Sequence, residues 1–396
     1  INAVQPILFL FTRNIRNQPK SVYPFKFIIP IFDFNQTTKM DKSEMERINL
    51  TSDYSISKII KGSWHLSGGH GPIITSEAID DMRAFVEAGI TTFDCADIYT
   101  GVEELIGKFL KSEKASFSSG NLPPVQVHTK YVPDYDVLGK LKKSDTEAII
   151  DRSLKRLGVE RLDLVQFAWW DYQYPRYVDT AIHLQELQQA GKIRHIGVTN
   201  FDAAHLKEIQ KAGVPIITNQ VQYSVLDHRP EKDMHLSAKE TGLYTLCYGV
   251  IAGGFLSERY LNTSAPAEPL ENRSLTKYRL IIEEYGGYPL FQELLSLLHG
   301  LANKHEVGIA EIAARYILQK PQVGGIIIGA RNKKHLDKLL KIQSFSLSTD
   351  DLLAIGGMTQ RSKGPSGPVY ELERDKNGPH GAIMRYNLNG QTTLKA

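Results

Sequence analysis

The stretch TTFDCADIY, residues 91–99, decides the fold. It is a short apolar run that stops on a charged residue, Asp94, with Tyr99 just beyond. VQVHTKY, residues 125–131, repeats the design and stops on Lys130. In barrels of parallel strands the functional groups gather at the carboxyl ends, so a charge placed there means something different from a charge at a strand's start.

Six further segments follow the same pattern: SKIIKGSW (57–64), LDLVQFA (162–168), IRHIGVTN (193–200), PIITNQVQY (215–223), LYTLCYG (243–249) and GIIIGA (325–330). Amphipathic stretches separate most of them. Ala78, Met82, Phe85 and Val86 share one helical face, as do Ala181, Leu184 and Leu187. Gly89, Gly158, Gly191, Gly213 and Gly242 stand directly before the next strand, where a left-handed residue ends a helix and turns the chain back. Eight strand and helix units predict an α/β fold, a (β/α)8 TIM barrel, with an open doubly wound sheet as the alternative.

Composition agrees. At 396 residues, 42% hydrophobic and 23% charged, the chain can bury a large single core. A net charge of +3 is too small to imply nucleic acid or an acidic membrane surface. Cys95 and Cys247 fall inside separate predicted strands, which argues against a disulfide scaffold or a zinc site and for reduced thiols in a cytoplasmic protein.

Residues 1–45 are expected to be a non-catalytic extension, residues 46–355 the barrel and residues 356–396 a Gly-, Pro- and charge-rich tail that wraps the barrel or covers its mouth. The apolar runs at 6–11 and 25–34 are too short to span a membrane. No small-residue cleavage site follows them in the manner of a signal peptide, and the first methionine is Met40.

Taken with Glu103 and Glu104, the run FDCADIY resembles the aldo-keto reductases, as do HTK at Lys130, GVERLDLVQF, GKIRHIGVTNF, NQVQYS and IIIGARN, in that order and over about residues 57–340. The resemblance implies a carbonyl reductase that takes hydride from NADP(H), with Tyr99 as proton donor and Asp94 and Lys130 tuning it. An Asp and Lys pair near a Tyr is also an ordinary ion pair at a barrel rim; the surrounding motifs favour catalysis. A free phenol, pKa about 10, is a weak acid at neutral pH. An ammonium about 4 Å away, at an effective dielectric of about 20, attracts the phenolate by roughly 4 kcal/mol, enough to lower that pKa by about two or three units.

One position departs from the family. Ala168 stands where the family places a histidine that orients the carbonyl, so a slow or specialised reductase is expected unless water or Asp171 fills the space. Loss of one such donor typically costs about a hundred- to a thousandfold in rate.

For the cofactor the resemblance implies that Thr199, Asn200 and Gln220 hold the nicotinamide carboxamide and that Tyr248 stacks on the ring. Gly254, Phe255, Leu256 and Ser257 would form a loop for the pyrophosphate. Gly329, Arg331 and Asn332, followed by Lys333 and Lys334, would receive a 2′-phosphate at a helix start, which favours NADPH. The Glu and Asn that often hold the adenine are replaced by Lys338 and Leu339.

Trp64, Trp169, Trp170 and Tyr172 cluster at strand ends and, with Ala168, are expected to line an apolar substrate pocket. Gly68 to Gly71 lacks the spacing of a dinucleotide fingerprint and reads as a loop after the first strand. His65 and His70 lack a third metal ligand at suitable spacing, and His183, His195 and His205 read as packing or surface residues. The competing function is an NADP-binding module with little turnover, similar in spirit to potassium-channel β-subunits, which Ala168 keeps open.

Overall fold

The structure is a computed structural model that describes residues 45–67, 73–232 and 242–389. The N-terminal run, the Gly68 to Gly71 loop and the last seven residues lie outside the described residues.

Eight parallel strands close on themselves: β3 (Ile59–Gly62), β4 (Thr92–Asp94), β5 (Gln126–Tyr131), β6 (Leu162–Ala168), β7 (Ile193–Thr199), β8 (Ile216–Gln222), β9 (Tyr244–Tyr248) and β10 (Val323–Gly329). The closure rules out the open sheet, because β10 pairs with both β9 and β3. The first barrel strand is shorter than the sequence predicts. Ser57 belongs to a preceding hairpin, and Trp64 opens a 3-10 turn, Trp64–Leu66.

That hairpin, β1 (Arg47–Thr51) and β2 (Tyr54–Ser57), is an antiparallel pair that the strand and helix pattern does not predict. It runs directly into the start of β3 and so closes the amino-terminal end of the barrel. Leu50, Tyr54 and Ile56 pack with Ile60, Leu164, Leu246 and Ile327 in a plug separate from the main core.

The two-residue alternation of a strand then sorts each sequence by face. In β6, Val165 and Phe167 join the core beneath the helices, while Leu164 joins the plug and Ala168 lines the opposite end. Strand register stacks the polar residues at the carboxyl ends: Lys130 lies opposite Gln166, Ala168 opposite Thr199, and Thr199 opposite Gln220. Where the hairpin seals the barrel, the plug's apolar side chains share a layer with His128 and His195, and Tyr54 Oη meets His128 Nε2 at 3.1 Å; the charged pair of Asp94 and Lys130 lies at the open end.

Helices alternate with the strands outside, for example Thr75–Glu87 with Ala78, Met82, Phe85 and Val86 buried, as the periodicity predicts. The link between β9 and β10 is long and carries the helices Arg273–Tyr285, Gly287–His305 and Ile309–Leu318. After the helix Thr349–Thr359, the tail has two short helical turns, Glu371–Arg374 and Pro379–Ala382.

Candidate active site

At the carboxyl end of the strands lies a cavity of about 940 Å³. Asp94 and Lys130 sit at its base, 4% and 5% exposed. Lys130 Nζ donates to Asp94 Oδ2 at 2.6 Å and to the Cys95 carbonyl at 2.9 Å. The other carboxylate oxygen accepts from Gln166 Nε2 at 3.0 Å and Gln220 Nε2 at 2.6 Å. Gln220 also donates to Gln166 Oε1 at 2.8 Å. A charge taken out of water is expensive unless it is paired and hydrogen-bonded, and here both carboxylate oxygens have donors.

Tyr99 follows one turn after β4, with its ring 5.2 Å from Lys130 Nζ and edge-on to Trp64 at 4.9 Å. Burial pushes the phenol above its ordinary pKa, and the Lys130 charge pulls down without prevailing. The sequence expectation of a net lowering is therefore corrected: desolvation of the phenolate outweighs the nearby ammonium, and Asp94 partly cancels that ammonium. Burial also penalises the Lys130 ammonium, but Asp94 and Tyr99 together overcome it and raise its pKa.

Ala168 lines the same cavity at the end of β6. Asp171 does not fill the place of the missing histidine. Its carboxylate accepts from Tyr135 Oη at 2.7 Å and from the Gln173 amide at 2.9 Å. Trp64 and Trp170 line the cavity, the latter held by its Nε1 donating to the Pro133 carbonyl at 2.8 Å. Trp169 borders the cavity too, but it is 2% exposed and packs against Phe167 and Tyr177. Tyr172 instead stacks on His205 at 3.5 Å.

Thr199, Asn200, Gln220, Tyr248, Gly254, Leu256, Ser257 and Gly329 all line the cavity. Asn200 adopts a left-handed backbone, φ 61°, and its Oδ1 accepts from Tyr248 Oη at 2.9 Å. Gly249 must be glycine on two counts: its φ is 75°, and a Cβ would lie 2.4 Å from Tyr278 Oη. Gly254, φ 103°, faces open space, since a Cβ there would meet nothing within 4 Å. Backbone amides bordering open space beside an aromatic ring suit a dinucleotide, which needs a flat face for its ring and close backbone approach for its pyrophosphate.

Arg331 and Asn332 are not among the lining residues. The Asn332 side chain is occupied in accepting from the Lys334 amide at 3.1 Å, a cap for the turn Lys333–His335. Lys338 and Leu339, set aside in the sequence, line the cavity instead. They follow in the short helix Leu336–Lys341, whose turn spacing no single-residue motif reveals.

Several lining residues carry no motif in the sequence. Lys277 and Tyr278 come from the helix Arg273–Tyr285, and Lys277 Nζ lies 4.9 Å from the Tyr248 ring centre. Burial lowers the Lys277 pKa, opposed by Glu373. Tail residues Tyr370, Ile383, Met384, Arg385 and Leu388 also border the cavity. They are fixed by Arg374, which donates to the Asn200 carbonyl at 2.6 Å, and by the Tyr135 amide, which donates to the Tyr386 carbonyl at 2.9 Å. Among the described residues no group of three His, Cys, Asp or Glu side chains is arranged to hold a metal ion, and no helix is long and apolar enough to cross a membrane.

The family model for the aldo/keto reductase family matches residues 58–358. Aldo-keto reductase YhdN of Bacillus subtilis (strain 168) is 28% identical over 326 residues, which cover 79% of this chain and 93% of that protein. NADH-specific methylglyoxal reductase of Escherichia coli (strain K12) is 24% identical over 340 residues, covering 80% and 99%. Among solved structures, the glycerol dehydrogenase AKR11B4 from Gluconobacter oxydans superposes with a TM-score of 0.66 at 23% identity, covering 83% of this chain and 99% of that one.

Proposed function

This chain belongs to the aldo/keto reductase family, oxidoreductases that reduce carbonyls, and from that premise we propose that it reduces an aldehyde or ketone with NADPH, using Tyr99 as the proton donor. The observation that carries this reading is the nearly dry Lys130 and Asp94 pair, 2.6 Å apart, beneath the Tyr99 ring at the base of the cavity.

When bound, the nicotinamide supplies the hydride that converts a carbonyl to an alkoxide. The chain's own residues handle the rest. Tyr99 keeps its proton near neutral pH because burial raises its pKa, so it can hydrogen-bond the carbonyl oxygen and hand over that proton as charge develops. Lys130 then faces the phenolate that forms, and Asp94, Gln166 and Gln220 hold Lys130 in position. Asn200 and Tyr248, bonded to each other, would fix the ring's orientation. Trp64, Trp170 and the tail exclude water from the reacting atoms.

The preference for NADPH rests on Lys338 lining the cavity and on the basic residues Arg331, Lys333 and Lys334 nearby in sequence. Mixing the protein with NADPH and a panel of aldehydes, ketones and sugars, while following absorbance and tryptophan fluorescence, tests the whole reading. Consumption of NADPH supports it. Quenching without consumption would instead favour the nucleotide-binding module, which Ala168 supports by removing a carbonyl-orienting donor.

A further inference from the structure

We infer that the hairpin of β1 and β2 is a pH-sensitive plug, released from the floor of the barrel when His128 and His195 take up protons. The device sits at the opposite end of the barrel from the cavity and is independent of what the cavity reduces. His128 in β5, Leu164 in β6 and His195 in β7 lie in register, so the two imidazoles flank one leucine in a single layer. Tyr54 of the hairpin covers both: its Oη meets His128 Nε2 at 3.1 Å, and its ring lies 4.6 Å from that of His195.

The layer accepts neutral imidazoles and resists charged ones. Among the described residues, His128 Nδ1 and His195 Nε2 are buried without a hydrogen-bond partner. A neutral ring tolerates this, because only one of its nitrogens carries a proton. An imidazolium has a proton on both, and its charge would sit in a layer closed to water. Neighbouring charges add to the cost. Lys130 lies two residues beyond His128 on the same face of β5, and Arg194 and Arg161 act against a charge on His195. Asp53 favours that charge from 3.9 Å, but its carboxylate also receives Arg194 at 3.1 Å. Burial, then Lys130 and His195, hold the His128 pKa down at about 3, and burial also lowers that of His195.

When the hairpin lifts away, water reaches both rings and they titrate near the ordinary value of 6.5. The lifted state then binds more protons than the closed one, so the plug is held fully above 6.5 and loses ground as pH falls toward about 3. Each such histidine favours release by up to about tenfold per pH unit. The other charges at this end act elsewhere on the pH scale or in the opposite sense. Burial works against the Glu46 carboxylate, but Arg315 at 2.7 Å and Lys58 at 3.2 Å prevail and hold its pKa below 4.5. Thr51 and Arg194 hold Asp53 at about 2. Burial raises the Asp163 carboxyl, which opposes the histidines, and raises the Tyr54 phenol, which stays protonated. From about pH 5 to 7.5 the histidines are left to drive release.

Amide hydrogen exchange over residues 47–57 reads the release, once each rate is divided by the intrinsic rate at that pH. In the wild-type chain the opening constant should rise about thirtyfold or more from about pH 7.5 to about pH 5, since His128 alone contributes about tenfold per unit below 6.5. The hairpin should also open ahead of β6 and β7, as a plug leaving a closed barrel. His128→Leu should flatten most of the rise, as should His128→Gln, which keeps a polar group for Tyr54 Oη without a titrating one. His195→Leu should remove part of it. An opening constant that does not change with pH overturns the inference, as does a full rise in either His128 variant. A rise shared equally with β6 and β7 overturns it too, because the whole barrel would then be unfolding. Should both His128 variants fail to fold, the wild-type profile still decides, since Glu46 and Asp53 lose their charge only below about pH 5.

Discussion

Glu373 in the tail and Arg229 after β8 form a two-pronged ion pair, Oε2 to Nη1 at 2.9 Å and Oε1 to Nη2 at 3.1 Å, with Glu373 wholly buried and Arg229 2% exposed. Asp227 shares the guanidinium from its other edge, Oδ2 to Nη2 at 2.7 Å. These contacts latch the tail beside the residues that border the cavity. Replacing Glu373 with Gln leaves Arg229 with half its charge compensation in a dry site. The expected cost is about 3 kcal/mol, the lower part of the range for breaking a buried pair, because Asp227 remains. Urea unfolding measures it, and a difference within error would show that the latch contributes nothing.

The same pair gives a pH signature. Burial works against the Glu373 carboxylate, but Arg229 prevails and holds its pKa at about 2. A depressed folded value means stabilisation present above the unfolded value of 4.5 and lost as pH falls through it toward about 2. The stability gap between wild type and Glu373→Gln should therefore be constant from neutral pH to about pH 5 and shrink below. A gap that persists unchanged at pH 3 contradicts the assignment.

Ala168 ends β6 on the cavity wall, level with Thr199 and without a polar atom to offer a carbonyl. Asp171, the nearby carboxylate, is already engaged by Tyr135. Ala168→His should raise kcat for a neutral aldehyde by up to about a hundredfold, the value of one preorganised donor. An unchanged kcat would mean that another step limits turnover.

The barrel was legible because several apolar runs carry a polar residue at or near the carboxyl end, as Asp94 does in β4, Lys130 in β5, Thr199 in β7 and Gln220 in β8. Asp94, Lys130 and Gln220 are contributed by three different strands, and the register that unites them follows from closure. What escaped has one physical cause. Gln166 lies two positions before Ala168 on the same face of β6, but a lone glutamine in a strand gives no sign of its partner. Lys277 reaches the site, and Arg229, Glu373 and Arg374 fix the tail beside it, through contacts between segments far apart in the chain. The hairpin at 47–57 shows the same limit, since its pairing with itself and its burial against Leu164 and Ile327 depend on a barrel already formed.

Lys130→Met removes the cation that offsets phenolate desolvation at Tyr99. Burial already raises that phenol, so its pKa should rise further and proton transfer should slow by about a hundredfold or more. In wild type the donor acts in its protonated form, and a raised pKa keeps it competent through the neutral range; the rate of reduction should decline only on the alkaline side, above about pH 10. A pH profile of kcat from 6 to 11 checks this. A fall centred near pH 7 would mean that a different group supplies the proton. Tyr99→Phe separates the roles, since it should abolish reduction while NADPH still quenches tryptophan fluorescence.

Lys338 presents the cofactor question most directly, because it lines the cavity whereas Arg331 does not, and because a relative of this chain is named as specific for NADH. The two dinucleotides differ by one phosphate, so a residue that favours NADPH must act through charge at that point. Replacing Lys338 with Glu changes attraction to repulsion there and should weaken NADPH binding by about tenfold or more while altering NADH binding far less. Added salt should narrow the preference in wild type, since exposed charges are screened over about 8 Å at physiological ionic strength. Dissociation constants for both dinucleotides, at low and high salt, supply the comparison. Equal losses for NADPH and NADH would place Lys338 away from the 2′-phosphate and remove the physical basis for preferring the phosphorylated form.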